Sequence, residues 1–268
     1  MMKNFVIITL VALFGLNNGY SQDEDPVKSK NDSIDNQVII EEDFDDNDND
    51  DDEESGIVKH KKRTENFWNL DFGLNNYLQN GKFPDATNES HTVKPWGSWY
   101  LALASVNRTR INGPLYMEWG MSFSWYNFKM QDPSIRITKG VDNIEFLPDT
   151  NGFDDYIKSK LSVTHINIFL VPMIHTDRSS RSDDKGFRLG VGGYAGYRVG
   201  SSTKFVYDKG GKQKDKGRGN YYLNNVRYGI RAQAGWKGTD IFFNYDLNEL
   251  FAEGKGPELN PFSFGIIF

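Results

Sequence analysis

Three groups of residues in this 268-residue chain have the types and spacing to do chemistry. The first would serve hydrolysis. Ser90 precedes His91, and Ser162 and Thr164 stand close to His165. A hydroxyl nucleophile needs a base within hydrogen-bond reach, so these pairs would suit a lipid-modifying hydrolase. No nucleophile motif surrounds either pair, and serines near histidines arise by chance, so no catalytic residue is assigned. His60 falls in a basic cluster and His175 near a strand end. The second group would bind cations. Asp43, Asp45, Asn47 and Glu54 fall at positions 1, 3, 5 and 12 of a calcium-loop template. Position 6, which needs glycine for its sharp turn, is Asp48, and the run is low in complexity. Loose attraction of divalent ions or polycations suits it better than a specific site, and no cofactor or metal is expected. The third group consists of charges set between apolar neighbours: Asp71, Glu118, Arg188, Arg198, Arg227, Arg231 and Asp246. Charges on one face of a strand, enclosed together, would have to pair.

The elements that position this third group are strands. From Val226 to Trp236 every even residue is apolar, and the odd ones are Arg227, Gly229, Arg231, Gln233 and Gly235. Side chains alternate between the two faces of a strand, so one face is oily and the other polar or small. Ile241–Leu247 and Phe262–Phe268 repeat the pattern. So do Trp68–Asn75, Leu115–Tyr126 and Phe187–Val199. Trp96–Arg108 is a strand whose phase Ala102 and Ala104 leave open. Lys160–Thr176 changes phase near His165, which predicts a β-bulge there.

Glycine decides which face points out. On a soluble strand the polar face meets water, where glycine only weakens the strand. Here glycines share the polar face with Arg, Gln and Asp, as the cramped interior of a narrow barrel would require. The expected fold is therefore all-β: an eight-stranded antiparallel transmembrane up-and-down β-barrel, oily outside and polar within. A soluble lipocalin-like barrel is the competing reading. The links support the membrane form. Gln79–Pro95, Lys129–Ser159 and Lys204–Tyr221 are long, whereas Asn112-Gly113 and Gly238-Thr239 are tight turns. Pairing Lys237 with Asp240 across the second turn sets Arg231 opposite Asp246 and predicts an ion pair between them. The long links carry aromatics and charges, among them Ile144–Pro148, Phe153–Tyr156 and the Lys/Gly-rich stretch Lys209–Gly219. Lys209, Lys212, Lys214, Lys216 and Arg218 would suit anionic glycolipid phosphates or a solvated loop.

The N-terminal part has a different composition. Phe5–Leu16 is the one continuous apolar run, too short to span a bilayer. With Lys3 before it and Gly19 and Ser21 after it, residues 1–21 read as a secretory signal. Residues 22–64 form an acidic tether ending in the basic cluster Lys59–Arg63, and residues 65–268 form the barrel. The tether is too polar to bury a core and is expected to be disordered. Residues 1–57 hold 16 acidic and 3 basic side chains, so the net charge of −6 for the whole chain becomes +7 for the remainder. Mean hydropathy is −0.61, which argues against helical membrane spans but not against alternating strands. With no cysteine, disulfides and thiolate metal sites are excluded.

The strand FRLGVGGYAGYRVG (Phe187–Gly200) and the ending TDIFFNYDLNELFAEGKGPELNPFSFGIIF (Thr239–Phe268) resemble the PorT-like outer-membrane β-barrel domain common in Bacteroidetes. The resemblance covers about Asn66 to Phe268. It implies an eight-stranded barrel in the outer membrane, with the N-terminal segment in the periplasm. Most members have no assigned activity, and one namesake is linked to type IX protein secretion. Phe262, Phe264, Ile266 and Phe268 look like the terminal signal read by the barrel-assembly machinery. The expected function is structural or binding, through extracellular loops above a lumen filled by side chains. The partners are outer-membrane lipid, the assembly machinery and a periplasmic or outer-membrane protein; nucleic acid is not among them. Two alternatives remain. One is an accessory component of a secretion or assembly complex, docking through the acidic tether. The other is a rim-located hydrolase using His91 or His165.

Overall fold

The structure is a computed structural model describing residues 64–153, 155–176 and 186–268. It contains β1 (Thr64–Gln79), β2 (Trp99–Asn112), β3 (Leu115–Lys129), β4 (Ile135–Lys139), β5 (Ile144–Pro148), β6 (Asp155–His175), β7 (Phe187–Asp208), β8 (Lys212–Arg218), β9 (Val226–Trp236), β10 (Thr239–Asp246) and β11 (Leu259–Ile267). One 3-10 turn, Pro95–Gly97, precedes β2. The hydrogen-bonded order is β6-β3-β2-β1-β11-β10-β9-β7, and β7 pairs back onto β6. Eight strands, every neighbouring pair antiparallel, thus close into a ring. Closure leaves the ring strands no free edge along their paired lengths. Among the described strands, only β8, added to the far end of β7, and the β4–β5 hairpin lie outside the ring.

Alternation sorts the side chains as the sequence patterns predict. Trp68, Phe72, Trp119, Ile168, Leu170, Tyr228, Ile230, Trp236 and Phe264 are exposed on the outside. Asp71, Glu118, Arg188, Arg227, Arg231 and Asp246 are buried on the inside. In β2 the inward set is Tyr100, Ala102, Ala104, Val106 and Arg108, which settles the phase that the two alanines left open.

The β9–β10 register corrects an expectation. Trp236 pairs with Thr239, so the turn is Lys237-Gly238 and not Gly238-Thr239. Both turn residues have positive φ, 48° and 79°, the combination that matches the twist of a two-residue hairpin. The pairing moves by two residues, an even number, so each side chain keeps its face while its partner changes. Arg231 consequently faces Asn244, and Asp246 faces Gly229. The β2–β3 turn is likewise Gly113-Pro114, because Asn112 pairs with Leu115.

The bulge predicted near His165 is present, but the extra residue lies across from it. Thr164 pairs with Gly200 and His165 with Arg198, which leaves Val199 of β7 unmatched. Along β6 itself, odd residues from Ser159 to His175 face inward throughout. The apparent change of phase has another cause: the inward set is apolar at Leu161 and Val163 and polar at His165 and Asn167.

Two long links also fold into strands. Lys129–Ser159 contains the β4–β5 hairpin, and the Lys/Gly-rich stretch is the β7–β8 hairpin. Tyr77, Phe128 and Leu161, on the inner faces of ring strands, form a core with Val93, Met130, Ile144, Leu223 and Phe251 from the links. Backbone bonds brace this cover: Ile144 N–H donates to the Lys255 carbonyl at 2.8 Å, and Ala252 N–H to the Tyr222 carbonyl at 2.8 Å. The link-bearing end of the ring is therefore filled with apolar side chains, and the polar residues lie deeper along the strands.

Candidate functional site

The central polar network is built from β1, β2, β3, β9 and β10, and β7 adds Arg188 and Tyr194 to the interior around it. Arg231 is its hub. Its Nη1 donates to Asp71 Oδ2 at 2.7 Å and to Asn244 Oδ1 at 3.2 Å. With the Gln233 amide turned to suit its neighbours, the amide oxygen accepts from Arg231 Nε at 3.0 Å and Nη2 at 2.9 Å, and the amide nitrogen donates to Glu118 Oε2 at 3.2 Å. Glu118 in turn accepts from Arg108 Nε and Nη2, both at 2.9 Å. The chain Arg108–Glu118–Gln233–Arg231–Asp71 thus crosses the interior with its opposite charges alternating. The expected Arg231–Asp246 pair does not form, because the two-residue turn draws Asn244 opposite Arg231.

Asp246 belongs to a second cluster. It accepts from the Tyr126 hydroxyl at 3.4 Å and from the Tyr194 hydroxyl in a short hydrogen bond. The Arg227 guanidinium carbon lies 4.9 Å and 4.7 Å from the ring centres of Tyr126 and Tyr194, within cation–π range. Its Nε and Nη1 have no hydrogen-bond partner. Gly229, opposite Asp246, is required here. A Cβ at that position would come within 2.5 Å of the Tyr194 hydroxyl.

Arg188 donates to Asp240 Oδ1 at 2.6 Å near the tight-turn end. Arg198 departs from expectation. It is half-buried at the bulge, where it bonds the Asn224 carbonyl (3.2 Å) and Ser201 Oγ (3.0 Å) ahead of β9. It keeps the inward parity, opposite His165, but its hydrogen-bond partners lie at the link end and not in the polar network. Alternation places Gln233 and Asn244 on the inner face, where both are buried, but Arg108 and Asp240 were not singled out from sequence. For Arg108 the missing signal was the phase of β2. For Asp240 it was the partner, since the register misassigned the turn.

The hydrolase pairs are not assembled. His165 faces inward and is buried, while Ser162 and Thr164 lie on the outer face of the same strand. His91 Nε2 instead meets Gln79 Oε1 at 2.8 Å, and Ser90 is exposed. Burial lowers the His91 pKa, opposed in smaller part by Glu89. Phe264, Ile266 and Phe268 point outward along the last strand, with Phe262 half-buried on the same side. The signal segment, the acidic tether with its calcium-like run, and His60 lie outside the described residues.

Two voids among the described residues bear on this geometry. One of ≈ 10 Å³, beside Arg108, Glu118 and Gln233, is no larger than a single water needs. The other is a groove of ≈ 390 Å³ at the link end, lined by Arg136, Lys139, Phe205, Lys216 and Tyr221 among others. Arg136 there bonds Asp149 at 3.0 Å and Asp215 at 3.1 Å. No protein-family model and no curated protein matches this chain.

Proposed function

We propose that the chain is an integral outer-membrane β-barrel protein with a side-chain-filled lumen, serving a structural or binding role through its extracellular links. The observation that carries this reading is the inverted sorting of side chains around a closed ring. Leu170 is 53% exposed while Asp71 is 2% exposed. Water penalises such an arrangement, and acyl chains reward it. The outward residues of β6 are Ile166, Ile168, Leu170, Pro172 and Ile174, preceded by Lys158, Lys160, Ser162 and Thr164. The stretch 166–174, at about 3.3 Å per residue and a tilt near 40°, covers roughly 23 Å, close to the apolar band of an outer-membrane barrel.

The interior supports the binding role over transport. An eight-stranded ring is only wide enough for its own side chains. Here those side chains pair with one another, and the link end is covered by an apolar core. The described start of β1 and the end of β11 lie with the tight turns, so on this reading the N-terminal tether enters the periplasm. The outward aromatics before Phe268 would serve as the assembly signal, and lipid and the assembly machinery would be the first partners. The resemblance to PorT-like domains points the same way, and no catalytic step is proposed.

The test is insertion. The full chain is expressed in a two-membrane bacterium, its outer membranes are washed with carbonate, and tryptophan emission is read in bilayers with brominated acyl chains. Retention in the membrane and quenching of Trp68 and Trp119 are expected. Recovery in the aqueous fraction with unquenched emission would overturn the reading.

A further inference from the structure

Four lysines occupy one hydrogen-bonded row across four neighbouring strands. Lys129 of β3 is the direct partner of Lys160 of β6, Lys160 of Lys204 of β7, and Lys204 of Lys216 of β8. Residues directly opposite each other project from the same face, and like charges so placed destabilise a sheet. Lys158 and Lys214 lie two residues along from Lys160 and Lys216, on that same face, with Val206 between them. That face is the outer one, since Ser159, Leu161 and Val163 between and beyond the lysines point inward.

The row is not neutralised by the described residues. Among the described residues no carboxylate forms an ion pair with Lys129, Lys160, Lys204 or Lys216. Asp215 sits between Lys214 and Lys216 but on the opposite face, where Arg136 holds it at 3.1 Å. Lys160 Nζ donates only to the neutral Asn127 Oδ1, at 2.7 Å, and lies 5.8 Å from the Trp99 ring. Trp99 is outward-facing and 38% exposed, at the edge of the apolar band. The repelling charges therefore begin where the acyl chains would end, on the link-bearing side.

We propose that this lysine row binds the phosphate groups of an outer-leaflet glycolipid whose acyl chains lie against the apolar band below it. The inference rests on the membrane reading above. Charge complementarity supports it: a row of ammonium groups costs stability by itself and gains it when phosphate fills the face. Dimensions support it too. Three inter-strand gaps of about 4.8 Å span roughly 14 Å, room for more than one phosphate on a single head group. The chemistry is phosphate monoester recognition by flexible point charges, and the occupant is lipid-borne because Trp99 and the acyl-facing band adjoin the row.

The experiment uses the full chain folded into nanodiscs with a bisphosphorylated, acylated glucosamine disaccharide, or with the same lipid after dephosphorylation. Retained glycolipid is counted by native mass spectrometry. The wild type and a Lys160→Gln/Lys204→Gln variant are compared, with Lys237→Gln at the opposite edge as control. Loss of two lysines is expected to weaken retention of the phosphorylated lipid about thirtyfold, while Lys237→Gln leaves it unchanged. In detergent without lipid, the double variant should unfold at a higher temperature than the wild type, because the repulsion is gone. Equal retention of phosphorylated and dephosphorylated lipid by an inserted chain would overturn the site alone. So would inorganic phosphate displacing the lipid at equal concentration, which would mark a free-anion site. A chain that never enters the nanodisc would overturn the membrane reading and the site with it.

Discussion

Arg231 Nη1 lies 2.7 Å from Asp71 Oδ2, joining residues 160 positions apart on strands that are not hydrogen-bonded neighbours. Two strands, β10 and β11, intervene between β9 and β1 in the ring, so the pair ties its wall across the interior. Both partners are buried. Removing one leaves the other charged and enclosed, which costs about 3–5 kcal/mol, whereas replacing both by apolar side chains is often neutral. Arg231→Met alone should therefore lower the urea midpoint of unfolding in bilayers far more than Asp71→Leu/Arg231→Met together. Near-neutral single variants, or a double variant no better than either single, would show that the pair does not hold the ring.

The outward face yields a sharper test of environment. Leu170 is at the middle of the stretch 166–174 and is 53% exposed. In water, Leu170→Lys would change stability by no more than about 0.5 kcal/mol, as surface substitutions do. At a bilayer midplane lysine costs about 2–4 kcal/mol. Val141→Lys, in the β4–β5 turn, serves as the exposed control and should be neutral. Equal, small effects at both positions would count against a lipid-facing wall.

Parity was legible in the sequence because it needs only local alternation, and it assigned nearly every charged residue to its face. Register was not, because it depends on which residues make the turn. Lys237 adopts a positive φ that sequence preference reserves mainly for Gly, Asn and Asp, so Gly238-Thr239 looked the better turn. From that two-residue difference came the wrong partner for Arg231. The links were misread for a second reason. KQKDKGR has little strand propensity of its own, yet β8 forms because β7 extends past β9 and leaves an edge to pair with. Arg198 keeps the inward parity, opposite His165, because the unmatched residue is the next one, Val199; what alternation could not give was its set of partners at the link end.

The turn itself can be tested. A residue other than Gly in the left-handed region costs roughly 1–2 kcal/mol, and Asn less. Lys237→Asn should stabilise the folded chain by up to about 1 kcal/mol, and Gly238→Ala should destabilise it by a similar amount. Unfolding midpoints in detergent measure both. If Thr239→Asn stabilised instead and Lys237→Asn did not, the turn would be one residue further on.

The first link is held down by a group that titrates. His91 Nε2 meets Gln79 at 2.8 Å, its carbonyl accepts a short hydrogen bond from the Tyr77 hydroxyl, and Val93 two residues on pairs with Met130. Burial depresses the His91 pKa below the ordinary 6.5, and the Glu89 carboxylate 3.8 Å away only partly offsets it. The docked link therefore keeps His91 neutral where a released link would take up a proton. Docking is fully favoured above 6.5 and weakens as pH falls below it, by at most about tenfold per pH unit for one proton. Amide hydrogen exchange across residues 80–94 should show protection lost on going from about pH 7.5 to about pH 5, the range that brackets the free imidazole. His91→Gln, which keeps a donor for Gln79 but cannot be protonated there, should flatten the profile. If the variant kept the same pH dependence, the titrating group would lie elsewhere, with Glu89 the next to test.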